Sequence, residues 1–361
     1  MKNASNVWSV LGRAGAGQTI AVCDTGLDTG NTGTLHQDFT NRVTGYAWSN
    51  GAYYASGASW ADAGPNGGHG THVSGSVLGS GYMSSGRYKG VAYGANLVFQ
   101  GAQTNLTGIP SHLGTLFRQA DTNGARIHSD SWGYDDAGSY NADSRALDQY
   151  VWSNKNFLVL VAAGNQGIDA NSDGIVDADS IGSPATAKNC LTVGASANYR
   201  TPGGYSTYRW GVELWPDDYT AEPIESDYAS RPLSNNVQGM AAFSSRGPCD
   251  DGRIKPDVVA PGTDIVSTRS RASSDTGWGT VSGNTNYIYM GGTSMATPLT
   301  AVLLRPPVQV RAPGPVRRPS VTTVELSLVT VALSASWMAT TGWRGKAAVA
   351  APAVGCWVRA S

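Results

Sequence analysis

Three short segments of this 361-residue chain carry side chains that could do chemistry together. In Val22-Cys23-Asp24-Thr25-Gly26 an acid follows an apolar run and sits in a turn. In Gly68-His69-Gly70-Thr71-His72-Val73 a histidine is bracketed by glycines where a helix-like stretch begins. In Gly291-Gly292-Thr293-Ser294-Met295-Ala296-Thr297-Pro298 a serine leaves a glycine-rich turn, and Pro298 is expected within the first helical turn, which needs no N–H partner. A serine hydroxyl is a poor nucleophile until an adjacent imidazole takes its proton. That imidazole needs a carboxylate to fix its tautomer and stabilise its positive charge. Asp24, His69 and Ser294 supply these three types in one of the chain orders known for such a relay. Each has a plain alternative: Asp24 as a turn cap, His69 as a hydrogen bonder at a helix start, Ser294 as an N-cap. Their joint occurrence favours chemistry.

A second signal is metal-like. Asp169, Asn171, Asp173, Asp177 and Asp179 put oxygens at positions 1, 3, 5, 9 and 11 of a run with Gly174 at position 6. Alternating oxygens around a glycine turn are the start of a calcium loop, but position 12 is Ser180 rather than a bidentate glutamate. The other reading is a solvated acidic loop.

The elements that must hold these residues follow from hydropathy. Short apolar runs alternate with glycine-rich turns and helix-like stretches, which predicts an α/β fold with a mostly parallel central sheet flanked by helices. Strands are predicted at Thr19–Cys23, Asn96–Phe99, Arg126–His128, Phe157–Ala162, Cys190–Gly194 and Val258–Val259. Helices are predicted at Gly70–Gly79, Pro110–Asn123, Ser144–Asn154 and from about Ser294. Asp24, Ser131-Trp132-Gly133 and Gly164-Asn165 then close three strands at their carboxyl ends, where open α/β sheets form clefts. Asn198–Asn236, rich in Tyr, Trp, Pro and Asp without periodicity, reads as a long surface excursion.

Composition narrows the class. Only 14% of residues are charged and 46 are glycine, which excludes coiled coil and charged disorder. Near-neutral charge gives no nucleic-acid footprint. Cys23, Cys190, Cys249 and Cys356 are scattered, so no zinc site or disulfide framework is indicated, and Cys23 and Cys190 read as core residues. His72 reads as a packed structural histidine, and His36, His112 and His128 as structural or surface residues. Met295 is expected to pack beneath the site and Arg246 to fix a loop.

On these residues the chain resembles the subtilisin-like serine proteases, or subtilases. The resemblance spans residues 10–301 and includes Val161-Ala162-Ala163-Gly164-Asn165, Ser244-Ser245-Arg246-Gly247-Pro248 and Lys255-Pro256-Asp257-Val258-Val259-Ala260-Pro261-Gly262. It looks most like the large, oxidatively stable alkaline branch. The resemblance implies a subtilisin-like fold and a secreted-type serine endopeptidase, with Asp24 as orienting acid, His69 as base and Ser294 as nucleophile. Asn165 would complete an oxyanion hole. An extended substrate would pair beside Ser131, Trp132 and Gly133 on one side and Leu106–Gly108 on the other. Ala162, Ala163 and Gly164 would line the pocket for the residue before the cut. It further implies structural calcium, protein or peptide substrates, an extracellular setting and a monomer. Two other readings stay open: a truncated inactive subtilase, and a calcium-dependent binding scaffold without catalysis.

The chain changes character near residue 302. Residues 1–301 carry 18 basic and 25 acidic side chains, whereas 302–361 carry seven basic and one acidic, Glu325. Pro306-Pro307 would stop the helix that the family continues past the serine, and nothing beyond resembles the family. The Ala, Arg, Pro, Gly, Val and Trp bias of this tail is what a shifted reading of GC-rich DNA yields. We therefore expect a catalytic domain over 1–301 and an atypical segment, irregular or disordered, over 302–361. Leu326 to Trp343 is uncharged but includes six Ser or Thr, so a membrane span is not favoured. Met1-Lys2-Asn3-Ala4-Ser5 has no apolar run of a secretory leader.

Overall fold

The computed structural model describes residues 14–54, 59–65, 67–200, 202–219, 233 and 239–301, together with Trp8. The expected tail at 302–361, and part of the excursion, lie outside the described residues.

An eight-stranded sheet forms the centre. Its strands are β1 (Thr19–Asp24), β2 (Val43–Ser49), β3 (Ala52–Tyr54), β4 (Asn96–Gly101), β5 (Ile127–Asp130), β6 (Leu158–Ala162), β7 (Leu191–Ser196) and β8 (Val258–Pro261). They lie in the order β3-β2-β4-β1-β5-β6-β7-β8. All neighbours are parallel except the edge pair β2–β3. β9 (Ile265–Thr268) and β10 (Tyr287–Met290) form a separate antiparallel pair. The helices are α1 (His69–Leu78), α2 (Leu113–Thr122), α3 (Ala142–Ser153) and α4 (Thr293–Thr300).

Strand alternation builds two cores. Ala21 and Cys23 of β1 face one side, where Val98, Val159 and Val161 meet Leu116 and Phe117 of α2 and Leu147 of α3. Ile20 and Val22 face the other side, with Leu97, Phe99 and Leu160 under Val73 and Val77 of α1 and Met295 of α4. Both faces of β1 are thus buried, as a central parallel strand requires. The helices that begin at His69 and next to Ser294 share one face of the sheet.

β2 was not foreseen. Its sequence, Val-Thr-Gly-Tyr-Ala-Trp-Ser, is broken by Gly45, whose surface is covered by the Trp60 ring: a Cβ there would lie 2.5 Å from it. Cys23, Cys190 and Met295 are buried, as expected, and Cys249 is buried as well. The described part of the excursion packs as an aromatic cluster in which Trp210 meets Trp215 and Phe243. No helix among the described residues is long and apolar enough to cross a membrane.

Candidate active site

Asp24 is the last residue of β1, and His69 the first of α1. Gly70 lets helix and strand end approach: a Cβ there would meet the Gly26 carbonyl at 2.3 Å and the Asp24 Cβ at 3.0 Å. Across this contact His69 Nδ1–H donates to Asp24 Oδ1 at 2.7 Å, and the same oxygen accepts the Thr25 amide at 2.7 Å. Both side chains are almost wholly buried. Burial alone pushes the His69 pKa down. The charge and hydrogen bond of Asp24, then the charges of Asp62 and Asp275, outweigh it, so the pKa is raised above the ordinary imidazole value. His69 Nε2 has no hydrogen-bond partner.

Ser294 follows a turn made for glycine. The Trp278 ring covers Gly291 so closely that a Cβ would fall 1.8 Å from it, and Gly292 adopts φ +144°. As the second residue of α4, Ser294 has an N–H without an intrahelical acceptor. Its hydroxyl donates to the Ser131 carbonyl at 3.0 Å, and Ser131 Oγ donates back to the Ser294 carbonyl at 2.8 Å. The serine is therefore pinned to the end of β5, and its hydroxyl is not bonded to His69.

Asn165 is oriented by Thr293. Thr293 N–H and Oγ1–H each donate to Asn165 Oδ1 at 3.0 Å, while Thr293 Oγ1 also lies 3.2 Å from the Gly164 carbonyl. With the oxygen so held, Asn165 Nδ2 is the free donor, and it is buried without a partner. An acid–imidazole pair, a hydroxyl at a helix start and a preset amide donor are the parts of a nucleophilic acyl-transfer site.

Of the expected substrate-binding residues, Ser131 bonds Ser294 and the Gly164 carbonyl lies beside Thr293 Oγ1. The Trp132 ring is packed in the core on the α2–α3 side, so only its backbone is available for strand pairing. Ala162 and Ala163 are fully buried, and the Ala163 carbonyl accepts the Gly182 amide at 3.1 Å. Gly133 and Gly164 are buried beside them, Gly164 with φ +111°. Leu106 is buried, and Gly108 lies against the Trp48 carbonyl.

His72, as foreseen, is structural: Nε2–H donates to the Ile265 carbonyl at 2.9 Å, and burial pushes its pKa down to about 3. Arg246 holds its loop to the Val176 carbonyl at 3.2 Å.

The acidic run is folded on itself. Asp169 accepts the Asp173 and Gly174 amides at 3.0 Å each, Asn171 Oδ1 the Asp173 amide at 2.9 Å, and Asp177 the Ala170 amide at 2.9 Å. Asn171 Nδ2 points at Asp173 Oδ2 (3.2 Å) and Asp177 Oδ1 (3.4 Å). All five expected residues carry oxygens of the kind a hard cation takes, and these bonds gather four of them, Asp169, Asn171, Asp173 and Asp177. The Asp179 carboxylate lies against Gly138. No three His, Cys, Asp or Glu among the described residues are grouped to hold a metal as they stand.

Sequence reasoning missed Asp62. It is fully buried and accepts the Thr25 hydroxyl at 2.8 Å, the Thr71 amide at 2.8 Å and the Thr71 hydroxyl at 2.6 Å. A visible signal was the threonine one residue after Asp24 and the other two residues after His69.

The family profile described as Peptidase_S8, Subtilase family, matches residues 15–304. The chain belongs to the subtilase family. This subtilase is 32% identical over 309 residues to serine protease AprX of Bacillus subtilis (strain 168), covering 80% of this chain and 56% of AprX. It is 31% identical over 285 residues to the serine protease/ABC transporter B family protein tagD of Dictyostelium discoideum, covering 64% of this chain and 15% of that protein. The chain thus spans about half of AprX and under a fifth of tagD. Among solved structures, the Clostridium perfringens CspB protease superposes with a TM-score of 0.50 at 16% identity, covering 83% of this chain and 85% of that one. That likeness concerns the subtilisin-like fold alone.

Proposed function

We propose that this subtilase is a serine endopeptidase that cleaves proteins or peptides through an acyl-enzyme on Ser294. The observation that carries the reading is the buried 2.7 Å bond from His69 Nδ1 to Asp24, which leaves Nε2 as the unpartnered basic nitrogen. With Nδ1 committed as donor to a carboxylate, Nε2 is the acceptor in the neutral ring. Ser294 Oγ leaves the Ser131 carbonyl, gives its proton to Nε2, and forms a bond to the substrate carbonyl carbon. The resulting oxyanion takes Asn165 Nδ2 and the Ser294 N–H. Collapse breaks the C–N bond as His69 returns the proton to the departing amine, and water then hydrolyses the ester by the same relay. Catalytic hydrogen bonds are often loose before substrate arrives, which is consistent with the Ser294–Ser131 contact.

The finer assignments belong to the same proposal. Residues 1–301 act as the catalytic domain, which the quoted motifs and the family match over residues 15–304 support, and the chain works as an extracellular monomer of the large oxidatively stable alkaline branch. The substrate strand pairs with the backbone of Ser131–Gly133 and Leu106–Gly108, and its side chain before the cut enters beside Ala162–Gly164. Calcium binds at Asp169, Asn171, Asp173 and Asp177 once the Asn171 amide turns its oxygen toward the carboxylates.

Labelling with a fluorophosphonate tests the central claim. An adduct on Ser294, lost in Ser294→Ala and His69→Ala, is expected. A folded chain that takes no label overturns it and favours the inactive remnant or the binding scaffold.

A further inference from the structure

We propose that Asp62 is a positioning residue for His69, tying the turn that carries the orienting acid to the first turn of the helix that carries the base. The inference rests on the serine-protease reading above, since it assigns His69 a task.

Helix α1 starts behind Gly68, a residue with no side chain, and receives no side-chain cap from that position. Its first amide groups must still find acceptors. The Gly70 amide donates to Thr25 Oγ1 at 3.0 Å, and the Thr71 amide to Asp62 Oδ2 at 2.8 Å. The Thr25 hydroxyl passes its own proton on to Asp62 Oδ1 at 2.8 Å. Thr71 Oγ1 donates to Asp62 Oδ2 and accepts the Asp28 amide at 2.8 Å. A closed ring of bonds therefore runs from the Asp24 turn through Thr25 to Asp62, on to Thr71, and back across helix α1.

Asp62 is itself fixed at the backbone. Its amide donates to the Asp28 carbonyl at 2.8 Å, and its carbonyl accepts the Ser270 hydroxyl at 2.7 Å. It cannot move without moving both the acid's turn and the base's helix. An anionic cap also suits the positive end of a helix, where a lone imidazolium is disfavoured. The charged or titratable groups acting on His69 are Asp24 from β1, Asp62 from the loop before α1, Asp275 from the loop before β10, and His72 of its own helix. Burial raises the Asp62 pKa, against the hydrogen bonds from Thr71, Gly68 and Thr25, which hold it down. Asp62 thus contributes both alignment and part of the field that favours the imidazolium formed during reaction.

The test is Asp62→Asn in the full chain, assayed on a chromogenic peptide across pH. Misalignment of about 1 Å costs on the order of 10²-fold, so kcat is expected to fall roughly 10- to 100-fold with KM within about twofold. The acid limb of kcat/KM is expected to move to lower pH, because one carboxylate acting on His69 is gone. A folded variant with wild-type kcat overturns the proposal. So does a reduced kcat with an unmoved limb, which is the mark of a merely structural cap. If Asp62→Asn gives no cooperative melt, Thr25→Val against Thr25→Ser carries the test. The valine removes the bridge between Gly70 and Asp62, and the serine restores it. Loss of roughly tenfold in the valine variant, recovered in the serine variant, is expected, and equal rates in the two overturn the proposal. Should the wild type take no fluorophosphonate, the protease reading fails on its own. The NMR titration of His69 in wild type and Asp62→Asn then still decides the coupling, and an unchanged titration overturns it.

Discussion

Replacing Asp24 with Asn keeps the shape of the side chain and removes its charge, which isolates what the carboxylate does. In the native site one oxygen accepts both the Thr25 amide and His69 Nδ1–H, each at 2.7 Å. The amide offers Nδ1 either its oxygen or its NH2 group. If the NH2 faces the ring, Nδ1 must accept, the ring proton moves to Nε2, and the base is blocked. If the oxygen faces it, the tautomer survives but the imidazolium formed during attack has lost its counter-charge. Both partners are nearly dry, so water recovers little of that loss. A loss of about 10⁴ in kcat is the magnitude known for such a change, equivalent to about 5.4 kcal/mol of barrier. The pH dependence has a definite sign. His69 works only when neutral, and its pKa is raised, so native activity should rise through a midpoint above about 6.5. The protonated His69–Asp24 pair correspondingly stabilises the fold below about 6.5, and that stability is lost as pH climbs through the raised value. In the variant the two largest raising effects are gone and burial dominates, so the residual limb should shift to lower pH. The assay is steady-state hydrolysis of a chromogenic peptide from about pH 5 to 9, spanning the histidine range, with fluorophosphonate labelling rates in parallel. A variant keeping more than about a tenth of native kcat, or a native limb below the ordinary imidazole value, refutes the relay.

Asn165→Ala should lower kcat by about 10²–10³, as loss of an oxyanion donor does in this class of site, with KM little changed. A proportional rise in KM instead would move Asn165 to the substrate groove. Lys255→Met tests stability away from the chemistry. Lys255 is buried, with Nζ 2.6 Å from Asp257 and 3.3 Å from the Cys190 carbonyl. Because Asp257 is one-third exposed, the cost should be about 1–3 kcal/mol in urea denaturation; an unchanged midpoint would mean the pair contributes nothing. Calcium should raise the thermal midpoint of the native chain and leave Asp169→Asn combined with Asp173→Asn unmoved. A flat response in both removes calcium from that loop.

Most of the strands that were legible in the sequence are buried on two faces, and the half-buried edge strand β8 was legible from its Val258-Val259 pair. Ile20–Cys23 and Leu158–Ala162 read as unbroken apolar runs because helices cover both sides of the sheet at those positions. The opposite edge, at β2 and β3, was not legible. Val43–Ser49 interleaves Gly45 and polar residues, and it becomes a strand only because β4 pairs with it and Trp60 closes over the glycine. Strands β9 and β10 stand outside the parallel sheet, and a long loop separates them before they pair. Helix α2 begins at Leu113 rather than at Pro110, so even a well-marked element lost its first turn to local geometry.

The proposed site divides along a similar line, between residues assigned to react and residues that hold them. Asp24, His69 and Ser294 were readable because nucleophilic chemistry needs those side-chain types and the flanking glycines mark their turns. Asp62 lies in Trp60-Ala61-Asp62-Ala63-Gly64, a stretch with no pattern at all. Its role exists only where two threonine hydroxyls converge on it, and those threonines belong to different motifs, 46 positions apart in the chain. A hydroxyl can accept one amide and donate to one carboxylate at the same time, which lets Thr25 serve Gly70 and Asp62 together. Valine at either threonine would fill nearly the same volume and break this ring. The threonines next to the acid and the base are therefore constrained by hydrogen bonding rather than by size, and a buried carboxylate is what their hydroxyls require.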